Sequence, residues 1–176
     1  VQTCALPIYY IKTGLRRLRI AMNGYRRDSR SAHFLFLSAA ILETSHRIPN
    51  LDYDILMKLT LQLTKSMEEC EKLYRLMCFN VFAHNRDDHS KNFSYIYRDE
   101  EKRWILSPAY DLTYSNSIGG EHATTVNGNG ADPGMDDLLS VAKKIGLGMT
   151  KARKTAAEIQ ECVQERLRDY LSDRIE

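Results

Sequence analysis

The sequence has little of what marks secreted, zinc-stapled or membrane-spanning proteins. Its four cysteines include no Cys-x-x-Cys pair, so their spacing predicts neither a disulfide framework nor a structural zinc site. The longest apolar runs, 34–37 and 39–42, are far shorter than the roughly 20 residues that cross a bilayer. No secretory signal is recognisable either, so we expect a cytoplasmic protein without a membrane partner.

Charge of one sign is also scarce, because the formal net charge is only +2. The chain has 176 residues, 43% hydrophobic and 27% charged, which is typical of one globular domain and excludes disordered and fibrous classes. The asymmetry is local: residues 9–30 hold seven Lys or Arg and one Asp. A short basic run is usually a solvated face, so direct DNA contact is the weaker interpretation of it.

The first eight residues form no element that the pattern supports. Their codons would match the 3′ part of a common sequencing adapter, so we interpret residues 1–8 as an artefact and exclude them from the fold prediction. An ordinary N-terminal strand is the alternative.

The pattern up to residue 82 predicts a mainly helical α+β chain. Residues 9–37 favour strands, while 31–43 favour a buried helix, and the two interpretations overlap. Beyond an N-cap expected within 50–52, apolar positions recur at helical spacing in two amphipathic helices divided near Ser66. Both helices are expected to be core scaffolding, with Ile55 and Met67 among their apolar positions.

The second half predicts a hairpin, a long loop and two more helices. Residues 93–97 and 104–106 alternate as strands around a turn, which should bring 108–111 back to the polar loop before the hairpin. Residues 115–134 are rich in glycine, a length of loop usually kept for binding or regulation. Helices are predicted over 136–144 and 150–173, the second with Thr150 as its N-cap.

The polar loop 83–92 carries the pattern Arg-Asp-x-x-x-x-Asn, which is the spacing of a protein-kinase catalytic loop. Phosphoryl transfer needs a carboxylate to accept the proton of the attacking hydroxyl, an oxygen ligand for Mg²⁺ and a second metal-binding carboxylate. Asp87, Asn92 and Asp111 supply these in order. His89 and Lys91 add positive charge where a triphosphate would lie.

Two other interpretations of the loop stay open. Asp and Asn at this spacing also form ordinary polar turns that cap their own backbone. A His and Asp cluster can alternatively ligate a divalent metal that activates water, as in a hydrolase or nuclease. That cluster would comprise His84, Asp87, Asp88, His89 and His122.

The runs 83–93 (AHNRDDHSKNF) and 106–112 (LSPAYDL) closely resemble the C-terminal domain of HipA toxins. These toxins are serine/threonine protein kinases of bacterial toxin–antitoxin systems. The resemblance implies the large lobe of a protein-kinase-like fold, with ATP and Mg²⁺ as cofactors. It also implies Asp87 as catalytic base and an ATP site that includes Asn92 and Asp111 as metal ligands, together with His89, Ser90, Lys91 and Tyr110.

The resemblance further implies a domain division and partners. Residues 31–176 would be the kinase domain and 9–30 a remnant of the small lobe and hinge, so this chain alone is expected to be inactive. The implied partners are a HipB-type helix-turn-helix antitoxin, through which DNA is reached indirectly, and a protein substrate, for which an aminoacyl-tRNA synthetase is a candidate. A non-catalytic module that binds the antitoxin is the alternative function.

Overall fold

The computed structural model describes residues 51–115 and 119–172, together with the backbone of 35–37, and describes side chains from 51 to 166 outside the 116–118 gap. Within these residues the elements, in chain order, are β1 (Leu35–Leu37), β2 (Leu51–Asp52), α1 (Tyr53–Thr64), α2 (Met67–Phe82), a 3₁₀ turn (Ser90–Asn92), β3 (Ser94–Arg98), β4 (Arg103–Leu106), β5 (Thr124–Thr125), α3 (Met135–Ile145) and α4 (Met149–Ser172). The described chain is therefore a mixed α and β structure, as the sequence predicts.

Helices α1 and α2 begin and end where local chemistry requires it. Asp52 caps α1, since its Oδ1 accepts a 2.7 Å hydrogen bond from the Asp54 amide. Lys65 then adopts a left-handed conformation and ends α1, and Ser66 precedes α2 in an extended one. The N-cap within 50–52 and the division near Ser66 are both confirmed.

The small sheet has the strand order β1-β3-β4, and both of its pairings are antiparallel. Its β3–β4 hairpin confirms the sequence prediction to within one residue. Strand β1 pairs Leu35–Leu37 with residues 94–96, so at these three positions the strand prediction for 9–37 is confirmed and the predicted helix over 31–43 is wrong. A partner about 60 positions away decides the conformation, and local propensity does not report such a partner. The rest of that helix, with residues 1–34, lies outside the described residues.

The long loop 115–134 contains one pairing that the sequence does not indicate. Strand β5 lies within it and pairs in parallel with β2, with Leu51 opposite Thr124. Helix α3 follows, and Asp137 accepts a 3.1 Å hydrogen bond from the amide of Gly134 at its start. Its predicted extent, 136–144, is confirmed within one residue at each end.

Helix α4 is confirmed, but its predicted N-cap is wrong. Thr150 lies inside the helix, which begins at Met149, and the Gly148 carbonyl accepts the hydrogen bond of the Ala152 amide. The first turn therefore starts two residues earlier than the hydroxyl pattern indicates. Among the described residues, no helix is long and apolar enough to cross a membrane.

The core lies between the helices, where α2 packs against α1 and α4, and α4 packs against α3. Its fully buried side chains include Leu56, Leu73, Met77, Leu138 and Val141. Two apolar positions of the amphipathic pattern are not part of it, since Ile55 is 41% and Met67 37% exposed. Both stand in the first turn of their helix but outside its buried face. Tyr53 and Leu56, on either side of Ile55, are fully buried, as are Glu69 and Cys70 after Met67.

Candidate active site

The polar loop leaves the end of α2 through a sharp turn at His84, whose φ is 51°. Here the Asn85 amide donates a 2.9 Å hydrogen bond to the Asn80 carbonyl, which anchors the loop to the last turn of the helix. Histidine is one of the few residues other than glycine that tolerates this left-handed conformation. The turn directs the loop away from the helix axis, toward the base of the β3–β4 hairpin.

Asp87 and Asn92, the first and last residues of the kinase-like spacing, are joined directly. The Asn92 side-chain nitrogen donates a 2.8 Å hydrogen bond to the main-chain carbonyl of Asp87. The Asn92 amide also donates to the His89 carbonyl at 2.9 Å, closing the 3₁₀ turn. The Asp87 carboxylate is 55% exposed, so it is presented to solvent from a fixed backbone.

Of the four residues between them, the last three differ in burial. His89 places its Nε2 3.8 Å from Asp87 Oδ1, while its Nδ1 is buried with no hydrogen-bond partner within the described residues. Ser90 is buried at the start of the 3₁₀ turn and Lys91 is exposed. His89 thus lies beside the exposed Asp87 carboxylate, and the positively charged Lys91 is exposed on the same loop.

The hairpin returns the chain to this loop, as the sequence predicts. Tyr110 donates a 2.6 Å hydrogen bond from its hydroxyl to the Lys91 carbonyl, and burial raises the pKa of this hydroxyl. Asp111 follows in a left-handed conformation, with φ at 54°, and is exposed. Within the described part of the chain, no hydrogen bond joins Asp111 to Asp87 or Asn92. The segment that carries Asp111 is held to the loop by Tyr110 and by a 3.0 Å hydrogen bond from the Ser115 amide to the His84 carbonyl.

The base of the hairpin is held by three polar contacts. The Ser94 and Ser107 hydroxyls are hydrogen-bonded at 2.8 Å, next to a 2.9 Å bond from the Ser107 amide to the Ser94 carbonyl. Glu69 of α2, fully buried, accepts a 2.9 Å hydrogen bond from the Leu106 amide. These contacts fix the point from which 107–111 runs back to the loop, and the sequence analysis missed Glu69.

Asp88 turns inward, opposite to its neighbour Asp87. It is fully buried, and its Oδ2 accepts hydrogen bonds from the Tyr53 hydroxyl at 2.9 Å and lies 3.1 Å from His122 Nδ1. Its Oδ1 accepts a 3.1 Å bond from the Thr124 amide. Burial, followed by the charge of Asp88, raises the pKa of the Tyr53 hydroxyl well above its ordinary value.

The oxygen donors of the site suit magnesium. Asn92 donates its side-chain nitrogen to the Asp87 main-chain carbonyl, so its side-chain oxygen remains for a cation. Asp111 offers an exposed carboxylate. Magnesium takes such hard oxygen ligands and binds through one or two side chains plus substrate phosphates, so a cage made only of protein groups is not required.

The hydrolase interpretation finds no such support. Among the described side chains, no three His, Cys, Asp or Glu residues gather as a metal-binding cluster. Of its five candidates, Asp88 and His122 are buried and bonded to each other, and His84 stacks edge-on with Tyr114.

Comparison with known proteins gives a family match and matches to solved structures. A family model described as the HipA-like C-terminal domain matches residues 19–167. Among solved structures, HipA of Shewanella oneidensis MR-1, in a complex of a toxin–antitoxin system with HipB and operator DNA, aligns with a TM-score of 0.53 at 16% identity, which shows a shared fold. The match covers 75% of this chain and 32% of that one, so this chain spans about a third of its solved relative. No curated protein sequence matches.

Proposed function

This chain belongs to the family of HipA-like C-terminal domains, and we propose that it is the large lobe of a protein serine/threonine kinase of a toxin–antitoxin system. The reaction is the transfer of the γ-phosphoryl group of ATP, with Mg²⁺, to a hydroxyl of a protein. The family match supports a HipA-like toxin module. The kinase activity and the cofactors ATP and Mg²⁺ are what we propose in addition.

The observation that carries the proposal is the hydrogen bond from Asn92 to the carbonyl of Asp87. It fixes the spacing between an exposed carboxylate and an amide oxygen, the pair that a kinase uses as proton acceptor and metal ligand. A simple polar turn would not also need Tyr110 bonded to the Lys91 carbonyl, which joins the segment that carries a second carboxylate, Asp111, to this loop.

Each residue of the site has a defined task in this proposal. Asp87 accepts a hydrogen bond from the substrate hydroxyl and takes its proton as the new P–O bond forms and the bond from the γ-phosphorus to the departing ADP breaks. Its exposure makes it accessible to an incoming protein. Asn92 and Asp111 would hold Mg²⁺, which when bound offsets the negative charge of the phosphates. Lys91 and His89 lie on the same loop, and Lys91 is exposed toward an anionic ligand.

Catalysis also needs groups beyond those described here. The family resemblance assigns the loop that covers ATP and the lysine that contacts its phosphates to an upstream lobe, and this chain spans about a third of the solved HipA chain. We therefore propose that a longer protein carrying this chain transfers phosphate, whereas the 176-residue chain alone does not.

A second candidate function is a non-catalytic module that binds an antitoxin. The observation in its favour is that the HipA of the solved structure is assembled with HipB and operator DNA. A HipB-type antitoxin is therefore the proposed protein partner in both candidates, with DNA reached through it. The substrate stays a proposal on the resemblance alone, which suggests an aminoacyl-tRNA synthetase.

Nucleotide binding separates the two candidates. The longer protein and the 176-residue chain are titrated with ATP by calorimetry, with and without Mg²⁺. Magnesium-dependent binding by the longer protein, weak or absent in the short chain, is the expected result. A longer protein that binds a HipB-type antitoxin but shows no binding of ATP at millimolar concentrations contradicts the kinase proposal and favours the binding module.

A further inference from the structure

Two buried side chains, Asn85 and Asp88, lie on either side of residues 86 and 87 of the polar loop. Asn85 is 2% exposed and Asp88 is fully buried, whereas the Asp87 carboxylate between them faces solvent. Along residues 85–88 of an irregular loop, the side chains thus pass from the interior to the surface and back to the interior. An irregular backbone has no ladder of main-chain hydrogen bonds to impose such alternation, so the buried side chains must impose it.

Both flanking residues are attached to the same pair of helical side chains. The Asn85 side-chain nitrogen donates to Asn80 Oδ1 at 2.9 Å, and the Asn80 nitrogen donates to the Tyr53 hydroxyl oxygen at 2.9 Å. Tyr53 in turn donates to Asp88 Oδ2 at 2.9 Å. At each step of this series one donor hydrogen meets an acceptor, and the series ends at a carboxylate, where hydrogen bonds are strongest. The Asn85 Oδ1 at its other end is buried without a hydrogen-bond partner among the described residues.

Asp88 is attached on its other side to the long loop. In addition to its contacts with His122 Nδ1 and the Thr124 amide, its main-chain carbonyl accepts a hydrogen bond from the Thr124 hydroxyl. The Ala123 amide donates to the Arg86 carbonyl at 3.0 Å. The Arg86–Asp88 backbone is therefore held between α1 and α2 on one side and the 122–124 segment on the other.

We propose that Tyr53, Asn80 and Asp88 are positioning residues that fix the backbone on both sides of Asp87 and so direct its carboxylate outward. This inference rests on the proposed kinase function for its catalytic consequence, although the positioning itself does not depend on that function. None of the three side chains is expected to touch ATP or the protein substrate, since all are at most 2% exposed.

The Asp88→Asn substitution tests the arrangement without changing its shape. The three groups around the carboxylate are the Tyr53 hydroxyl, His122 Nδ1 and the Thr124 amide. Asparagine has an NH₂ group in place of one carboxylate oxygen. If the NH₂ group replaces Oδ1, it faces the N–H of Thr124, and if it replaces Oδ2, it faces the Tyr53 hydroxyl that donates there. Tyr53→Phe is the second variant, because it removes the hydroxyl that joins Asn80 to Asp88 and retains the ring that packs edge-on against Phe93.

Tyr95→Phe is the matched control. Tyr95 is also fully buried, and its hydroxyl is bonded to Thr60 Oγ1 at 2.8 Å. This bond is separate from the series that joins Asn85 to Asp88. Tyr53→Phe should lower the urea midpoint more than Tyr95→Phe, because the Tyr53 hydroxyl bonds to a buried carboxylate and an amide. Exchange of the polar-loop amides is therefore compared with exchange of the core-helix amides in the same variant, so that an effect confined to the loop reports on position and not on general stability.

The first readout is amide hydrogen exchange of the 176-residue chain, followed by NMR. We expect the amides of Asn85, Asn92 and Thr124 to exchange roughly tenfold faster in Tyr53→Phe and Asp88→Asn than in Tyr95→Phe. The second is steady-state transfer by the longer protein. There kcat should fall roughly tenfold to a hundredfold with the KM for ATP unchanged, as misplacement of a catalytic group predicts.

Each outcome decides the inference. Exchange in Tyr53→Phe equal to that in Tyr95→Phe overturns the positioning, and an unchanged kcat in a folded Tyr53→Phe variant overturns its catalytic consequence. If Asp88→Asn does not fold, Tyr53→Phe alone decides. If the unmodified longer protein transfers no phosphate, the proposed function has failed, and hydrogen exchange still tests the positioning by itself.

Discussion

The hydroxyl of Tyr110 and the main-chain carbonyl of Lys91 are joined by a 2.6 Å hydrogen bond, although 19 positions of the sequence separate them. This bond connects the polar loop after α2 with the segment that follows the hairpin. Asn92, directly after Lys91, and Asp111, directly after Tyr110, are the two proposed metal ligands. The contact therefore fixes the relative position of two residues that do not bond to each other.

Replacement of Tyr110 by Phe should loosen the proposed metal site. The variant loses one hydrogen bond worth about 1 kcal/mol. The Mg²⁺ concentration that gives half-maximal phosphate transfer should therefore rise by up to about fivefold. The measurement is a Mg²⁺ titration of transfer by the longer protein. Tyr114→Phe is the control, because Tyr114 is 72% exposed and phenylalanine keeps its ring beside His84. Equal Mg²⁺ titrations for the two variants would show that Tyr110 has no part in holding Asp111.

The Glu69→Gln substitution should destabilise the fold although it is nearly isosteric. Glu69 is buried and accepts hydrogen bonds from the Lys72 ammonium at 2.7 Å and the Leu106 amide at 2.9 Å. Glutamine can satisfy one of these donors but must face the other with its own hydrogens, at a cost of about 1–3 kcal/mol. Urea unfolding of the chain measures this change.

Glu68→Gln provides the matched control for Glu69. Glu68 forms an ion pair with the same lysine at 3.1 Å, but its side chain is 70% exposed. Its replacement should therefore change the free energy of unfolding by less than about 0.5 kcal/mol. Equal losses in the two variants would contradict the assignment of Glu69 as the buried anchor of β4.

Asp52 is expected to contribute stability through each of its two oxygens. Oδ1 caps α1 through the Asp54 amide, while Oδ2 accepts from the Thr125 hydroxyl at 2.7 Å and the Gly128 amide at 2.8 Å. Asp52→Ala should cost about 2 kcal/mol, of which Asp52→Asn should recover about half by retaining the cap. Chemical denaturation of both variants measures this, and an asparagine variant as unstable as the alanine one would contradict the separate roles.

Alkaline pH should destabilise the chain partly through Cys78. Burial raises the pKa of this thiol from its ordinary 9.0 to about 12. Because the folded pKa lies above the unfolded one, the stabilisation is complete below pH 9 and is lost as pH rises toward 12, by on the order of 1 kcal/mol at pH 10. Urea midpoints between pH 8 and 10 should therefore fall less steeply in Cys78→Ala than in the unmodified chain. Parallel pH profiles would contradict burial of this thiol.

The sequence predicts the parts of this fold that depend on local pattern. The two helices divided near Ser66 and the hairpin around the 98–103 turn follow from periodicity and from turn residues within a few positions. The polar loop and the return of Tyr110 to it follow from that hairpin. Each of these features is specified by neighbours in the sequence.

The features that the sequence does not predict depend on distant partners. Leu35–Leu37 becomes a strand because β3 is beside it, and Asp88 becomes a buried anchor because Thr124 and His122 meet it from more than 30 positions away. Glu69 gives a detectable signal, since it shares a helical stripe with Leu73 and Met77, where a charged residue must have buried partners. No equivalent local signal marks β5, and the pattern around β1 leaves strand and helix both open.

The most direct test of the central claim is transfer of label from γ-labelled ATP to protein by the longer protein, with and without the Asp87→Asn substitution. The Asp87 side chain is 55% exposed, so its replacement should change the free energy of unfolding in urea by no more than about 0.5 kcal/mol. We predict Mg²⁺-dependent transfer by the unmodified protein and a loss of at least about a hundredfold in kcat for the variant. Equal transfer by both proteins would contradict Asp87 as the catalytic base, and no transfer by either would contradict the kinase function itself.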